Sequence, residues 1–148
     1  MGADYLYLKL LHVFIAIVAL GTSAGLGIVL ELYGDDQAHG AFVLRVIERM
    51  IALVVLPGYV LMLITGLWAT SLAWPFTAAW IQLALGLWVA GIIVLASSLA
   101  TIRKQRLLQA TEGQASARYR RTSLFSRILG GAFGLVIVAI LYLMVVKP

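Results

Sequence analysis

Three long intervals without a formal charge dominate this sequence: 21 residues between Lys9 and Glu31, 53 between Arg49 and Arg103, and 19 between Arg127 and Lys147. A helix of roughly 20 apolar residues crosses the hydrocarbon core of a bilayer, because lipid offers no partner to backbone N–H and C=O groups. The first and last intervals each suit one crossing, and the middle one suits two. It divides at Thr70-Ser71-Leu72-Ala73-Trp74-Pro75. Small polar residues, a proline fit for a first helical turn, and tryptophans (Trp68, Trp74) that prefer the headgroup boundary meet there. The expected helices cover about 5–31, 43–70, 76–102 and 125–146. They predict an all-α integral membrane four-helix bundle, a single transmembrane domain over residues 1–148.

Composition agrees with this reading. The apolar share is 63% and the charged share 11%, against about 25% charged in an ordinary soluble domain. Such a chain has too few polar residues to cover a water-facing surface. Cysteine is absent, which excludes disulfides, thiolate metal ligands and cysteine-attached haem. The first segment lacks a basic leader and carries Asp4, so it reads as a retained helix rather than a cleaved signal. The net charge of +5 is concentrated between the third and fourth helices. Arg103, Lys104, Arg106, Arg118, Arg120, Arg121 and Arg127 stand there against Glu112 alone. Basic loops stay on the cytoplasmic side. The expected location is therefore the bacterial inner (cytoplasmic) membrane, multi-pass, with the 103–127 loop inside and both termini outside. These cations suit anionic lipid, and no motif for nucleic acid accompanies them.

Between helices in lipid, small residues mark close approach. The expected contact faces are His12, Ala16, Ala19, Ser23 and Gly27 on the first helix, with Gly21 and Gly25 beside them. The second offers Gly58, Met62 and Gly66, the third Gln82, Gly86, Ala90 and Ser97, and the fourth Gly130, Gly131 and Gly134. Pro57 lies inside the second apolar stretch and predicts a kink, since it lacks an N–H and crowds the preceding turn.

Ionisable residues at membrane depth are candidates for function. His12, two turns into the first helix and on its small-residue stripe, has two readings. One is a haem or metal ligand or proton carrier; the other is a neutral histidine hydrogen-bonded to a neighbouring helix. Lys9, three residues earlier, snorkels to the interface or, facing inward, meets an anion. Gln82 is placed to bond across the bundle, with His12 as one partner. Arg45, Glu48 and Arg49 sit at helical spacings of three and four. With Glu31 they form an expected network tying two helix ends, whose arginines also suit a carboxylate, phosphate or haem propionate. His39 is expected in a solvated loop across the membrane from His12, so the two do not share a ligand. His12, Lys9, Gln82, Arg45 and Arg49 are thus the candidate cofactor-binding residues, and His12 the candidate metal ligand.

The opening Tyr5-Leu6-Tyr7-Leu8-Lys9-Leu10-Leu11-His12-Val13 and the glycines from Gly21 to Gly27 resemble a bacterial family of predicted integral membrane proteins, domain of unknown function 2269. Pro57-Gly58, Thr65-Gly66-Leu67 and Trp80-Ile81-Gln82 continue the resemblance, which covers about residues 5–108. It implies the four-span fold and brings no activity. The leucine–histidine opening also bears a distant likeness to small membrane protoporphyrinogen oxidases and copper-resistance membrane proteins. In the oxidases a first-helix histidine serves a haem-associated site, with His12 as its counterpart. They also carry a histidine and a lysine near the start of the third helix, where this chain reads Trp80-Ile81-Gln82-Leu83-Ala84. The leading expectation is a small accessory or scaffold protein without its own catalysis, serving a larger membrane complex or a homo-oligomer. A haem-binding redox protein or oxidoreductase using His12 is the alternative, and a metal or small-solute transporter a third.

Overall fold

A computed structural model describes residues 3–147. Four helices are long and apolar enough to cross a membrane: α1 (Ala3–Tyr33), α2 (Gly40–Ala73), α3 (Ala79–Thr111) and α4 (Ala117–Val146). No strand occurs among the described residues. The chain is an all-α, four-helix integral membrane bundle. One end, called the terminal end here, carries the start of α1, the close of α4 and the α2–α3 turn. The other, the basic end, carries the α1–α2 and α3–α4 turns.

The helices run longer than the apolar intervals, most of all at the basic end. Residues 103–111 continue α3, and 117–124 already belong to α4, so the expected basic loop is mostly helix. Charged residues past the hydrocarbon still favour helix, and the break waits for a local signal. Gly113 supplies it with φ of +76°, a conformation that a side chain disfavours. The Ser116 hydroxyl then accepts the Tyr119 N–H at 3.0 Å and starts α4.

The anticipated break at Pro57 takes the form of a π-helical segment, Ile51–Val55, between two α-helical stretches of α2. Leu56 N–H bonds to the Ile51 carbonyl, five residues back. Widening the turn just before a proline accommodates its ring and its missing donor without ending the helix.

Packing is tiered. Near the basic end, Leu44, Ile47, Ile51 and Val55 of α2 meet Leu95 and Ile102 of α3 in a dry aliphatic layer. Above it Tyr59, with no exposed surface, stacks on Trp88 at 5.3 Å and tilts against Phe133 at 5.5 Å. Trp88 Nε1 donates to the Tyr59 carbonyl at 3.1 Å. Gly91 leaves the space for the Tyr59 hydroxyl. Above this aromatic tier the bundle is two close pairs, α1 with α2 and α3 with α4, and the pairs draw apart towards the terminal end.

The small-residue faces are partly redrawn. Ala19 and Gly58 do meet: a Cβ at Gly58 would lie 2.7 Å from that of Ala19. Gly21, Gly25, Gly27, Gly86, Gly130, Gly131 and Gly134 instead have open space where a Cβ would be. On α3 the buried face is Trp80, Ala84, Gly91, Leu95, Ser98 and Ile102, because the bulky Tyr59–Trp88–Phe133 tier sets its rotation. Gln82 is consequently exposed.

The network expected of Arg45, Glu48, Arg49 and Glu31 is not formed. Glu48 accepts Arg103 Nε at 3.1 Å and Arg106 Nε at 2.7 Å, both from α3. Its side chain is 17% exposed in that seam, where two guanidiniums beside a desolvated carboxylate outcompete exposed neighbours on its own helix. Arg45 and Arg49 point away, exposed. Glu31 pairs with Arg127 of α4 at 2.9 Å.

A polar clasp closes the basic end. Asp35 accepts Arg127 at 2.7 Å and the Ser123 hydroxyl at 2.9 Å. The single Tyr119 hydroxyl proton faces the Gly34 carbonyl and Asp35 Oδ1, each at 3.0 Å. Gln105, fully buried, donates to Tyr119 at 3.3 Å and accepts from Ser126 at 2.8 Å. The α1–α2 turn is thereby tied to α4.

Candidate functional site

The gap between the helix pairs at the terminal end is a cavity of about 850 Å³, within the range of small-molecule sites. All four helices line it. Its walls run on α1 from Tyr5 to Gly21 and on α4 from Ile140 to Val145, with Lys147 just past that helix and Trp88 towards the aromatic tier.

His12 is half-buried in this wall. Two sequence features place it there: the three-and-four spacing towards Ala16 and Ala19, and Gly66 opposite. A Cβ at Gly66 would lie 3.1 Å from His12 Cε1, so any larger residue displaces the ring. His12 Nδ1 lies 2.8 Å from Thr65 Oγ1. Thr65 has one proton, which the carbonyls of its own helix accept, Leu61 at 2.8 Å and Met62 at 3.3 Å, as mid-helix threonines commonly back-bond. The Thr65 oxygen is then an acceptor, so the imidazole carries its proton on Nδ1 and donates it. Nε2 keeps its lone pair. Among the described residues it has no hydrogen-bond partner, and it is not one of the buried unpartnered atoms, which leaves it accessible from the cavity.

Two ammonium groups border the same space. Lys9 lies one turn before His12 on α1, and Lys147 follows the end of α4. Neither makes an ion pair among the described residues. Lys147 adopts a left-handed conformation (φ 50°, ψ 55°), its N–H capping α4 on the Leu143 carbonyl. This bend sets Nζ 4.5 Å from the centre of the Trp74 ring and 5.6 Å from that of Trp80, two indoles in edge-to-face contact at 5.6 Å. The site is thus an apolar chamber with cations at its rim and one bare imidazole nitrogen in its wall.

Of the candidates from the sequence, the fold brings Lys9 and His12 together and separates the rest. Gln82 does not reach His12; Thr65 bonds it instead. Arg45 and Arg49 lie towards the basic end, away from the cavity. His39 sits there too, in the turn before α2, 72% exposed, where Asp36 accepts its backbone N–H and its Nδ1. Those bonds, with the Ala38 N–H, hold the Asp36 carboxyl below the usual aspartate range; the His39 backbone bond contributes most. Lys147, Trp74 and Trp80 escaped the sequence reading as site residues. Their signal was a cation and two indoles at the ends of two spans, which a linear reading assigns to the interface. No group of three or more His, Cys, Asp or Glu side chains able to hold a metal converges among the described residues.

Comparison with known proteins gives one match. The family model described as a predicted integral membrane protein (DUF2269) matches residues 6–148. No curated protein and no solved structure matches, and the likeness to the small oxidase and copper-resistance families gains no support from them.

Proposed function

The chain belongs to the DUF2269 family of predicted integral membrane proteins, and from that premise we propose that it is a small non-catalytic membrane protein that holds an amphiphilic molecule for a larger assembly. The carrying observation is the 850 Å³ chamber beside His12 in a bundle otherwise packed through its aromatic and aliphatic tiers. A large, mostly apolar concavity with a few converging polar groups is what a bound hydrophobic ligand requires. The bundle sits in the cytoplasmic membrane with its basic end inside, so the chamber lies in the outer half of the bilayer.

Extraction of the protein in mild detergent, followed by mass spectrometry of its organic extract, tests this reading. One amphiphile per chain is expected, and Ala16→Phe, which fills the chamber from α1, should release it while helix content stays unchanged. Equal recovery from the wild type and Ala16→Phe would sink the proposal.

A second reading rests on the His12 tautomer. With the Thr65 proton on the Leu61 carbonyl, Nδ1 donates to Thr65 and Nε2 would be the nitrogen left to ligate haem iron, while Lys9 and Lys147 suit two propionates. Bound haem would supply redox chemistry; the protein residues would hold and orient it. This reading expects a Soret band in the purified protein that is lost in His12→Ala. A colourless sample from haem-replete cells overturns it and leaves the amphiphile reading intact.

A further inference from the structure

We infer that the chamber selects an amphiphile with an anionic head, a phosphate or a carboxylate, seated between Lys9 and Lys147 with its chain running inward towards Trp88. This rests on the amphiphile reading and specifies its ligand.

Charge comes first. Lys9 and Lys147 enter from the first and last helices and border one cavity. Among the described residues no Asp or Glu side chain lines it, and neither lysine has a carboxylate partner. At the basic end Arg103, Arg106, Arg118 and Arg127 are matched to acids while the other cations there face outward from the bundle surface; the two lysines differ in bordering an apolar cavity. Two like charges at the mouth of a low-dielectric space repel each other and attract an anion.

Lys147 is also held in place. The left-handed turn that ends α4 and the Trp74–Trp80 pair fix its ammonium over two rings, which removes freedom that a snorkelling lysine ordinarily keeps. A preorganised cation loses less entropy when it takes a ligand.

Shape gives the rest. The α1 wall from Tyr5 to Gly21 rises about 24 Å at about 1.5 Å per residue. The chamber is therefore long along the bilayer normal, which suits an acyl or isoprenoid chain. Nε2 of His12, one turn inward from Lys9, is an acceptor. It fits a hydroxyl or a P–O–H group just below the charged head.

Binding of defined lipids to the full-length protein in detergent, followed by native mass spectrometry, tests the assignment. The probes are phosphatidic acid, oleate and uncharged diacylglycerol, offered to wild type, Lys9→Gln/Lys147→Gln and Lys9→Arg/Lys147→Arg. At least one acidic probe should bind the wild type about tenfold more tightly than diacylglycerol does. Which of the two does so separates phosphate from carboxylate. The glutamine pair should lose that margin while diacylglycerol binding stays the same, and the arginine pair should retain it. Acidic and neutral probes binding alike, or a margin that survives the glutamine pair, overturns the anionic-head assignment alone. Failure of every probe, with Ala16→Phe extracting like wild type, removes the amphiphile reading itself.

Discussion

Gly91→Ala probes whether the aromatic tier is packed to contact. The new Cβ would fall on the Tyr59 hydroxyl and lie 3.0 Å from Tyr59 Cζ and 3.3 Å from Val136 Cγ1. Tyr59 has nowhere to withdraw, being fully buried between the Trp88 stack and Phe133. Overpacking of this kind costs about 1–3 kcal/mol, and alanine in place of glycine in a helix returns up to about 1 kcal/mol. The net loss should be about 1–2 kcal/mol. Tyr59→Phe removes the overlapping oxygen. It also removes a bond to the Trp88 carbonyl that is long, at 3.4 Å, so its own cost should be under about 1 kcal/mol. The double variant should therefore be more stable than the two single changes add up to, with a coupling on the order of 1 kcal/mol. Relief stays incomplete because Cζ remains at 3.0 Å. Reversible unfolding in mixed micelles by SDS titration, followed through tryptophan fluorescence, gives all four stabilities. Wild-type stability in Gly91→Ala, or strict additivity with Tyr59→Phe, would refute the packing argument.

Three further outcomes are expected. Glu48→Gln should destabilise by about 1–2 kcal/mol in the same titration. Two charge-assisted bonds weaken, discounted because Arg103 is 54% exposed; a neutral result would show that the α2–α3 seam does not depend on this pair. The depressed Asp36 titration gives its turn a pH dependence of definite sign. Stability contributed by the carboxylate is present above the unfolded value of about 3.9 and is lost as pH falls through the lower folded value. Protection factors at Ala38 and His39, taken relative to the intrinsic exchange rate at each pH, should thus hold steady down to about pH 4 and fall below it, a response that Asp36→Asn should abolish. Because the chain has no cysteine, Thr77→Cys and Ala115→Cys each create a single thiol. A membrane-impermeant maleimide should label the first in intact spheroplasts and the second only after permeabilisation, and the opposite pattern would invert the proposed orientation.

The number of spans was legible because exclusion of charge from hydrocarbon is a local rule: each residue pays its desolvation separately, so uncharged intervals in the chain become crossings. His12 was singled out on the same ground, and Lys9 with it, since one helical turn links them. The chamber was not legible. Between helices in lipid, protein and solvent are equally apolar, so no hydrophobic pattern tells which face of α3 turns inward; the bulk of Tyr59, Trp88 and Phe133 sets that rotation and leaves Gln82 outside. Partner choice was likewise hidden. Spacing offered Glu48 to Arg45 and Arg49, whereas the fold brings Arg103 and Arg106 from more than fifty positions away. The sequence by itself determined that this protein lives in a bilayer, how often it crosses, and which imidazole lies at depth. Only the tertiary structure decided that Lys147 and Lys9 border one cavity, because the packing of four helices sets which residues of distant segments face a common space, and neither segment encodes that alone.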